Sequence, residues 1–379
     1  MNSVERHELR YQRRKAKRVQ KRLEFENSLG AYEDIFSFEN LYDAFYLCRR
    51  GVRWKASIQN YERRLPSNSY KLYEELANET WVSKGFTKFY ISERGKLRKI
   101  QSVHISERCI QRVFCDKYLV PLLSRSIIYD NGASMQGKGI DFALNRLKKH
   151  LNDNYKLTHS NDGYILLFDF SNYFGNISHE VLYKIIDPII SNPKLRRLFH
   201  QLIDAFDEGV GLGSQVSQIS AIYFANEIDH TFKDKMGIKG YARYMDDGYI
   251  ISNNLSVIKR CKEVLIDLCS KLYITMNDKK IRVCKISKGF IFLKKRFLLK
   301  PNGKLIIRLP KQSYKSEKRR LHRMYEKGLP YSISNKSYRS WRGNASKYNG
   351  FNKSVKSVDD CFNKLWIEPF ICGEVRRIS

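Results

Sequence analysis

The apolar positions change period along the chain, and that change sketches its elements. Phe38, Leu41, Tyr42, Phe45 and Tyr46 recur at helical spacing inside a helical stretch over 36–78, and all five are expected in the core. Residues 84–103 alternate on either side of Arg94-Gly95, the pattern of a hairpin. A helical region over 105–123, a loop over 129–139 and a helix over 140–151 follow. The short, wholly apolar run Tyr164-Ile165-Leu166-Leu167-Phe168 predicts a buried strand ending in Asp169. Helices at 179–191 and 194–207 lead through a glycine-rich turn at 209–213 to a long helix at 215–235. Tyr241-Ala242-Arg243-Tyr244 and Gly248-Tyr249-Ile250-Ile251 then flank an Asp246-Asp247-Gly248 break, which predicts strand, tight turn, strand. Gly248 is expected to supply the positive φ of that turn. An amphipathic helix near 255–272 comes next, with strands near 273–276, 281–285, 290–299 and 304–308 and a basic, mostly helical 313–379. Strand–helix alternation through 164–285 predicts an α+β sheet domain with helices on one face.

Composition adds a partner. The chain has 379 residues, with 70 Lys and Arg against 39 Asp and Glu, a formal net charge of +31. An excess of that size points to a polyanion, because neutralising phosphates releases their counterions. The basic, helical run over 5–25 fits the same reading, although such a run can also be a solvated face. Tyr and Phe number 24 and 21, which suits core packing and stacking on bases alike. The eight cysteines form no CxxC pair and no disulfide framework, so reduced thiols in a cytoplasmic protein are expected, and no zinc site. No apolar run reaches membrane-spanning length, so no membrane partner is expected.

Two stretches carry candidate chemistry. Gly132-Ala133-Ser134-Met135-Gln136-Gly137-Lys138-Gly139 follows a phosphate-binding loop up to its last position, where Gly139 replaces the hydroxyl that would hold magnesium. It reads instead as a backbone-exposing loop near nucleic acid. Asp246-Asp247 alone could be a solvated turn. Were its strand to lie beside the strand ending in Asp169, three carboxylates from separate elements would converge and could hold two hard cations about 3.5–4 Å apart for phosphoryl transfer.

FDFSNYF (168–174), GVGLGSQVSQISAIYFAN (209–226), YARYMDDGYII (241–251), NDKKI (277–281) and GFIFLKKRF (289–297) resemble, in order and spacing, the successive palm motifs of reverse transcriptases. GKLRKI (95–100) and ASMQGKG resemble fingers motifs of the prokaryotic branch. The likeness spans roughly residues 85–370. It implies an α+β right-hand polymerase: a basic helical extension (1–80), fingers (81–160), a ferredoxin-like palm (161–298) and a basic helical thumb (299–379).

It also implies roles. Asp169, Asp246 and Asp247 would be the catalytic carboxylates holding two Mg2+ ions, with Mn2+ as an alternative, and the Phe170 carbonyl would be a further ligand. Phe174 would be the gate against a 2′-hydroxyl, although ordinary core packing also explains a ring there. Lys96 and Arg98 would hold the triphosphate, and Gly213 and Gln218 would lie beside the nucleotide. Lys280 would protonate the leaving pyrophosphate, unless Lys279-Lys280 is a solvated pair. Phe292 and Leu293 would grip the primer, and Trp341 and Arg342, with Tyr338, would track template and primer.

The departures also carry information. Gly211-Leu212-Gly213 stands where Pro-Gln-Gly is common, and Ser217-Gln218 where Ser-Pro is usual, which resembles diversity-generating retroelement and defence-associated bacterial enzymes. Lys294 replaces the glycine usual in the primer grip. The function expected is RNA-directed synthesis of cDNA from dNTPs on an RNA template, in antiviral defence with a dedicated non-coding RNA. Alternatives are a diversity-generating or retron-type enzyme, protein-primed or template-independent synthesis, and a non-catalytic binder of structured RNA. No segment signals an oligomer.

Overall fold

The computed structural model describes residues 3–93, 96–349 and 351–368. Its centre is a four-stranded antiparallel sheet of β3 (Tyr164–Asp169), β4 (Tyr241–Tyr244), β5 (Asp247–Ser252) and β6 (Arg282–Lys285), in the order β4-β5-β3-β6. Helices lie between β3 and β4, and Leu255–Lys271 lies between β5 and β6, giving the ferredoxin-like split βαβ arrangement. Ahead of it, β1 (Phe86–Glu93) and β2 (Lys96–Val103) form a hairpin; the Arg94-Gly95 break itself falls outside the described residues. Behind it, β7 (Phe290–Phe292), β8 (Lys295–Leu299) and β9 (Leu305–Arg308) make a second, three-stranded sheet.

Both faces of the central sheet are buried, not one. Leu166, Phe168, Tyr241 and Ile250 join the large core with Ile258, Cys261 and Leu265 of the 255–271 helix. Ile165, Leu167, Ala242, Tyr249 and Ile251 pack on the other side against Leu144, Leu147 and Leu151 and the three-stranded sheet. That two-sided burial is why β3 reads as a continuous apolar run instead of an alternating one.

Several boundaries differ from expectation for local reasons. The helix expected at 140–151 runs Ile140–Thr158 and stops where His159 turns left-handed, φ +52. The helix expected at 215–235 starts under the Ser214 side-chain cap, breaks at Ala225 and ends in a π-helical turn, Thr231–Lys235. The strand expected at 290–299 is a hairpin, because Leu293 (φ +42) and Lys294 (φ +61) both turn left-handed, as the tight two-residue hairpin turn requires. Residues 273–276 form no strand; Met276 makes a single bridge to Phe170. In the helix Phe38–Cys48, Leu41 and Phe45 are core, but Tyr46 is 37% exposed and Phe38 and Tyr42 are half-buried; their rings form a surface ladder 5.6–5.8 Å apart.

The basic N-terminal run is a helix, α1 (Ser3–Ser28). At the other end, helices Lys311–Glu326, Tyr331–Ala345 and Phe351–Trp366 share a small core of Leu321, Tyr338, Val358, Phe362 and Trp366. Cysteines among the described residues are free thiols, and no described helix is long and apolar enough to cross a membrane.

Candidate active site

Register brings the aspartates together. Asp169 is the last residue of β3 and stands opposite Asp247, the first residue of β5. Met245-Asp246 forms the two-residue turn joining β4 to β5, and the Asp246 carbonyl accepts the Phe170 amide at 3.1 Å. The positive φ of this turn belongs to Met245 (+55), not to Gly248. Gly248 is needed for space: it pairs with Phe168, and a Cβ there would sit 2.1 Å from the Phe168 ring.

Asp169 is buried and fully engaged. Its Oδ1 accepts the Asn277 side-chain amide at 3.0 Å, its carbonyl accepts the Asn277 backbone N–H at 2.9 Å, and its Oδ2 pairs with the Lys280 ammonium. Asp247 has a pKa pushed up to about 7, first by burial, then by the charges of Asp246 and Asp169, with Lys280 opposing and a shared hydrogen bond to Asp169 adding to the rise. Burial would lower the Lys280 pKa, but its bond to Asp169 and the neighbouring Asp247 and Asp246 raise it. The donor chemistry, carboxylate oxygens that repel one another and are offset by Lys280 alone among the charges acting on Asp247, fits a hard divalent cation. Asp169 and Asp247 share a hydrogen bond, with Asp246 alongside; among the described residues no three His, Cys, Asp or Glu enclose a common point for an ion. The threefold convergence expected from sequence is therefore present in the backbone and not in the side-chain arrangement.

A second network holds the turn from beneath. Arg243 is 1% exposed and grips the fully buried Asp229 with two bonds, Nε to Oδ1 at 2.8 Å and Nη2 to Oδ2 at 2.7 Å. Its Nη1 donates to the Met245 carbonyl at 2.9 Å, and Nη2 also reaches the Ile222 carbonyl. Tyr241 and Asn131 complete the shell of Asp229. Sequence reasoning missed Arg243, Asp229 and Asn277. The available signal was a lone arginine inside an otherwise apolar four-residue strand.

The other expected residues are dispersed around this centre. Phe170 is 1% exposed, its ring packed between Phe168 and Tyr173. Phe174 is half-buried, edge-on to Tyr173, and its carbonyl accepts the Val210 amide at 2.7 Å, which ties it to the glycine-rich turn. In that turn Gly213 is left-handed (φ +109) and abuts β2 near Gln101, whereas Gly211 has no room for a Cβ, which would fall 1.9 Å from the Phe206 ring. Phe206 in turn stacks on Phe86 of β1 at 4.5 Å. Gln218 is exposed on the helix that follows. Lys96 and Arg98 stand in β2 opposite Glu93 and Ile91, but their side chains lie outside the described residues. Phe292 is buried edge-on to Tyr249, and Leu293 sits in the β7–β8 turn.

Trp341, Arg342 and Lys138 have partners within the chain. Trp341 packs edge-on to Tyr314, while Arg342 pairs with Asp359 at 3.2 Å and Tyr338 bonds the same carboxylate, so these side chains brace the C-terminal helices. In the 132–139 loop, Lys138 donates to the carbonyls of Tyr129 and Asn131 at 2.9 and 2.8 Å, which leaves its ammonium facing its own loop. Gly132 N–H meanwhile donates to the Arg243 carbonyl, so this loop extends the sheet edge beside Tyr244.

Residues 87–315, more than half the chain, match the family model for reverse transcriptase (RNA-dependent DNA polymerase). The chain belongs to the reverse transcriptase family. No curated protein matches this reverse transcriptase chain in sequence. Among solved structures it is similar to apo telomerase from Candida tropicalis (14% identity, 79% of this chain and 64% of that one, TM-score 0.45). It is also similar to a C-terminally truncated form of that telomerase (15%, 58% and 54%, 0.45). Telomerase from Candida albicans, in complex with a fragment of telomeric RNA, is a third (9%, 79% and 64%, 0.46). The chain thus spans less than two thirds of the length of these telomerase chains.

Proposed function

We propose that the protein is an RNA-directed DNA polymerase that extends a 3′-hydroxyl on an RNA template with deoxynucleotides. The observation carrying this reading is Asp169 facing Asp247 across β3 and β5, with Asp246 in the adjoining turn and Lys280 on Asp169. Mg2+ bound by Asp169, Asp246 and Asp247, with the Phe170 carbonyl as a further donor, would activate the attacking hydroxyl and neutralise charge on the triphosphate. Asn277 holds the Asp169 carboxylate in one orientation. Lys280, a cation with a raised pKa, keeps its proton at neutral pH and can deliver it to the pyrophosphate oxygen as the P–O bond breaks. Lys96 and Arg98 on the β1–β2 hairpin would bind the triphosphate, with Gly213 and Gln218 lining the nucleotide side and Phe174 restricting its 2′ position. Phe292-Leu293 would support the primer end. In domain terms, 81–160 act as fingers, 161–298 as palm and 299–379 as thumb.

The biological setting we propose is antiviral defence in a bacterium, with cDNA copied from a dedicated non-coding RNA; Gly211-Leu212-Gly213 and Ser217-Gln218 support it through their likeness to that branch. Sequencing nucleic acid co-purified with the wild type and with Asp246→Ala/Asp247→Ala tests both levels. cDNA found only with the wild type is expected, and its sequence names the template. Identical RNA and no cDNA in both preparations would overturn the enzymatic reading.

A further inference from the structure

Helix α1 stands apart from the chemistry above. Every residue from 5 to 21 is exposed, a run of about 25 Å at 1.5 Å per residue. Its anchoring contacts with the body of the protein lie at its C-terminal end. There Phe25 lies under the Arg125 guanidinium at 4.1 Å, and the buried Glu26 accepts the Tyr118 hydroxyl at 2.5 Å and the Ser191 amide at 2.7 Å.

Its charge is arranged as well as abundant. The helix has nine Lys and Arg against four Glu. Arg6, Arg10, Arg13, Lys17 and Lys21 follow at steps of three or four residues, and with Arg14 they make one continuous stripe. A thin apolar line of Leu9, Ala16 and Val19 borders the stripe, with Leu9 and Val19 43% and 39% exposed, and Lys15, Arg18 and Arg22 lie on the far side. A helix this polar and this exposed gains little from the body of the protein, so its free stripe is suited to an outside partner. Pairing two such helices would bring like charges together along their length, which disfavours a second copy. A phosphate row complements the stripe, and contacts to phosphates position a strand without reading bases.

We propose that α1 is a catalysis-independent RNA clamp, laying Arg6, Arg10, Arg13, Lys17 and Lys21 along the phosphates of structured RNA outside the polymerase centre. The choice of RNA rests on the proposed function; the phosphate contact rests on the stripe.

The test is equilibrium binding of the full chain to a labelled RNA hairpin in EDTA without nucleotides, from about 50 to 200 mM salt. Replacing the five stripe residues by Gln, a good helix former, should reduce the steepness of log K against log salt by about 3.5–4.5, at 0.7–0.9 per lost phosphate contact. Leu9→Gln/Val19→Gln, which removes no charge, should leave both slope and mass in solution unchanged. A slope untouched by the five substitutions overturns the proposal. So does a stripe effect seen with a DNA hairpin and absent with RNA. A wild type twice the mass of Leu9→Gln/Val19→Gln would make a second copy the occupant instead. Primer extension on the same preparations reports separately: a wild type that binds RNA through the stripe yet never extends a primer sinks the polymerase reading and spares the clamp.

Discussion

At the scale of single residues, the site depends on groups that do not touch a nucleotide. Met245 occupies the left-handed region at a cost of about 1–2 kcal/mol, and the Arg243 guanidinium on its carbonyl helps hold it there. Arg243→Met strands Asp229 in the core and should cost about 3–5 kcal/mol, read as a fall in denaturant midpoint. Arg243→Lys keeps a cation for Asp229 but cannot also span Met245 and Ile222. It should retain much of the stability while lowering kcat, with the template KM little changed. Equal loss of kcat and stability in the two variants would reduce Arg243 to a core residue. Asp247→Asn removes a proposed cation ligand and should lower primer extension by at least about a thousandfold, since these charges act on the transition state. Asp169, Asp246 and Asp247 were legible from strand-and-turn pattern together with motif order. Arg243 was not, because its meaning depends on Asp229, a helix residue whose burial only the tertiary fold reveals.

At the scale of elements, turn chemistry decided what the pattern left open. The β7–β8 hairpin was invisible as a break in 290–299 because neither Leu293 nor Lys294 is a customary turn residue, yet both adopt positive φ. Lys294→Gly should therefore stabilise the protein by up to about 1 kcal/mol, relief of the left-handed strain outweighing the added chain entropy. A lower urea midpoint for that variant would instead show that the lysine side chain matters to the hairpin. Gly211 shows the reverse case: in the sequence it stood only as a departure from Pro-Gln-Gly, whereas its observed requirement is the Phe206 ring. Gly211→Ala should loosen the 209–213 turn from the β1–β2 hairpin, seen as faster amide exchange in β1 and β2. Expected helices held where apolar spacing and caps agreed, as at Leu255–Lys271 beneath its Asn254 cap. The 215–235 expectation ran through Ala225 because nothing in the local sequence marks a break there.

At the scale of the whole molecule, buried charge links the sheet to its surroundings. Asp130 is 6% exposed; burial alone would raise its pKa, but His150, Arg146 and Lys233 hold it well below the usual carboxylate range. A carboxyl depressed on folding contributes stability above its unfolded pKa near 4 and loses it as pH falls through the folded value. Thermal melts should accordingly show the wild type losing stability below about pH 4 more steeply than Asp130→Asn, which starts lower and lacks that limb. Parallel acid limbs in the two proteins would remove Asp130 from the account. The α+β class was readable because strand and helix alternate through 164–285, whereas the ferredoxin-like arrangement of the sheet was implied by the motif resemblance alone. Burial of both sheet faces was not readable, since the helix Ile140–Thr158 and the β7–β9 sheet that cover the second face lie outside that stretch.

The Arg243–Asp229 grip has a further meaning for motion. The acidic turn is bound to a helix end deep in the protein, whereas the β1–β2 hairpin is two strands with Tyr90 and Leu97 64% and 70% exposed. Amide hydrogens of β4 and β5 should exchange with solvent only when the molecule unfolds globally, while those of the hairpin exchange through local opening. The three acids thus stand on the part of the fold expected to open last, and the hairpin bearing Lys96 and Arg98 on a part expected to open first.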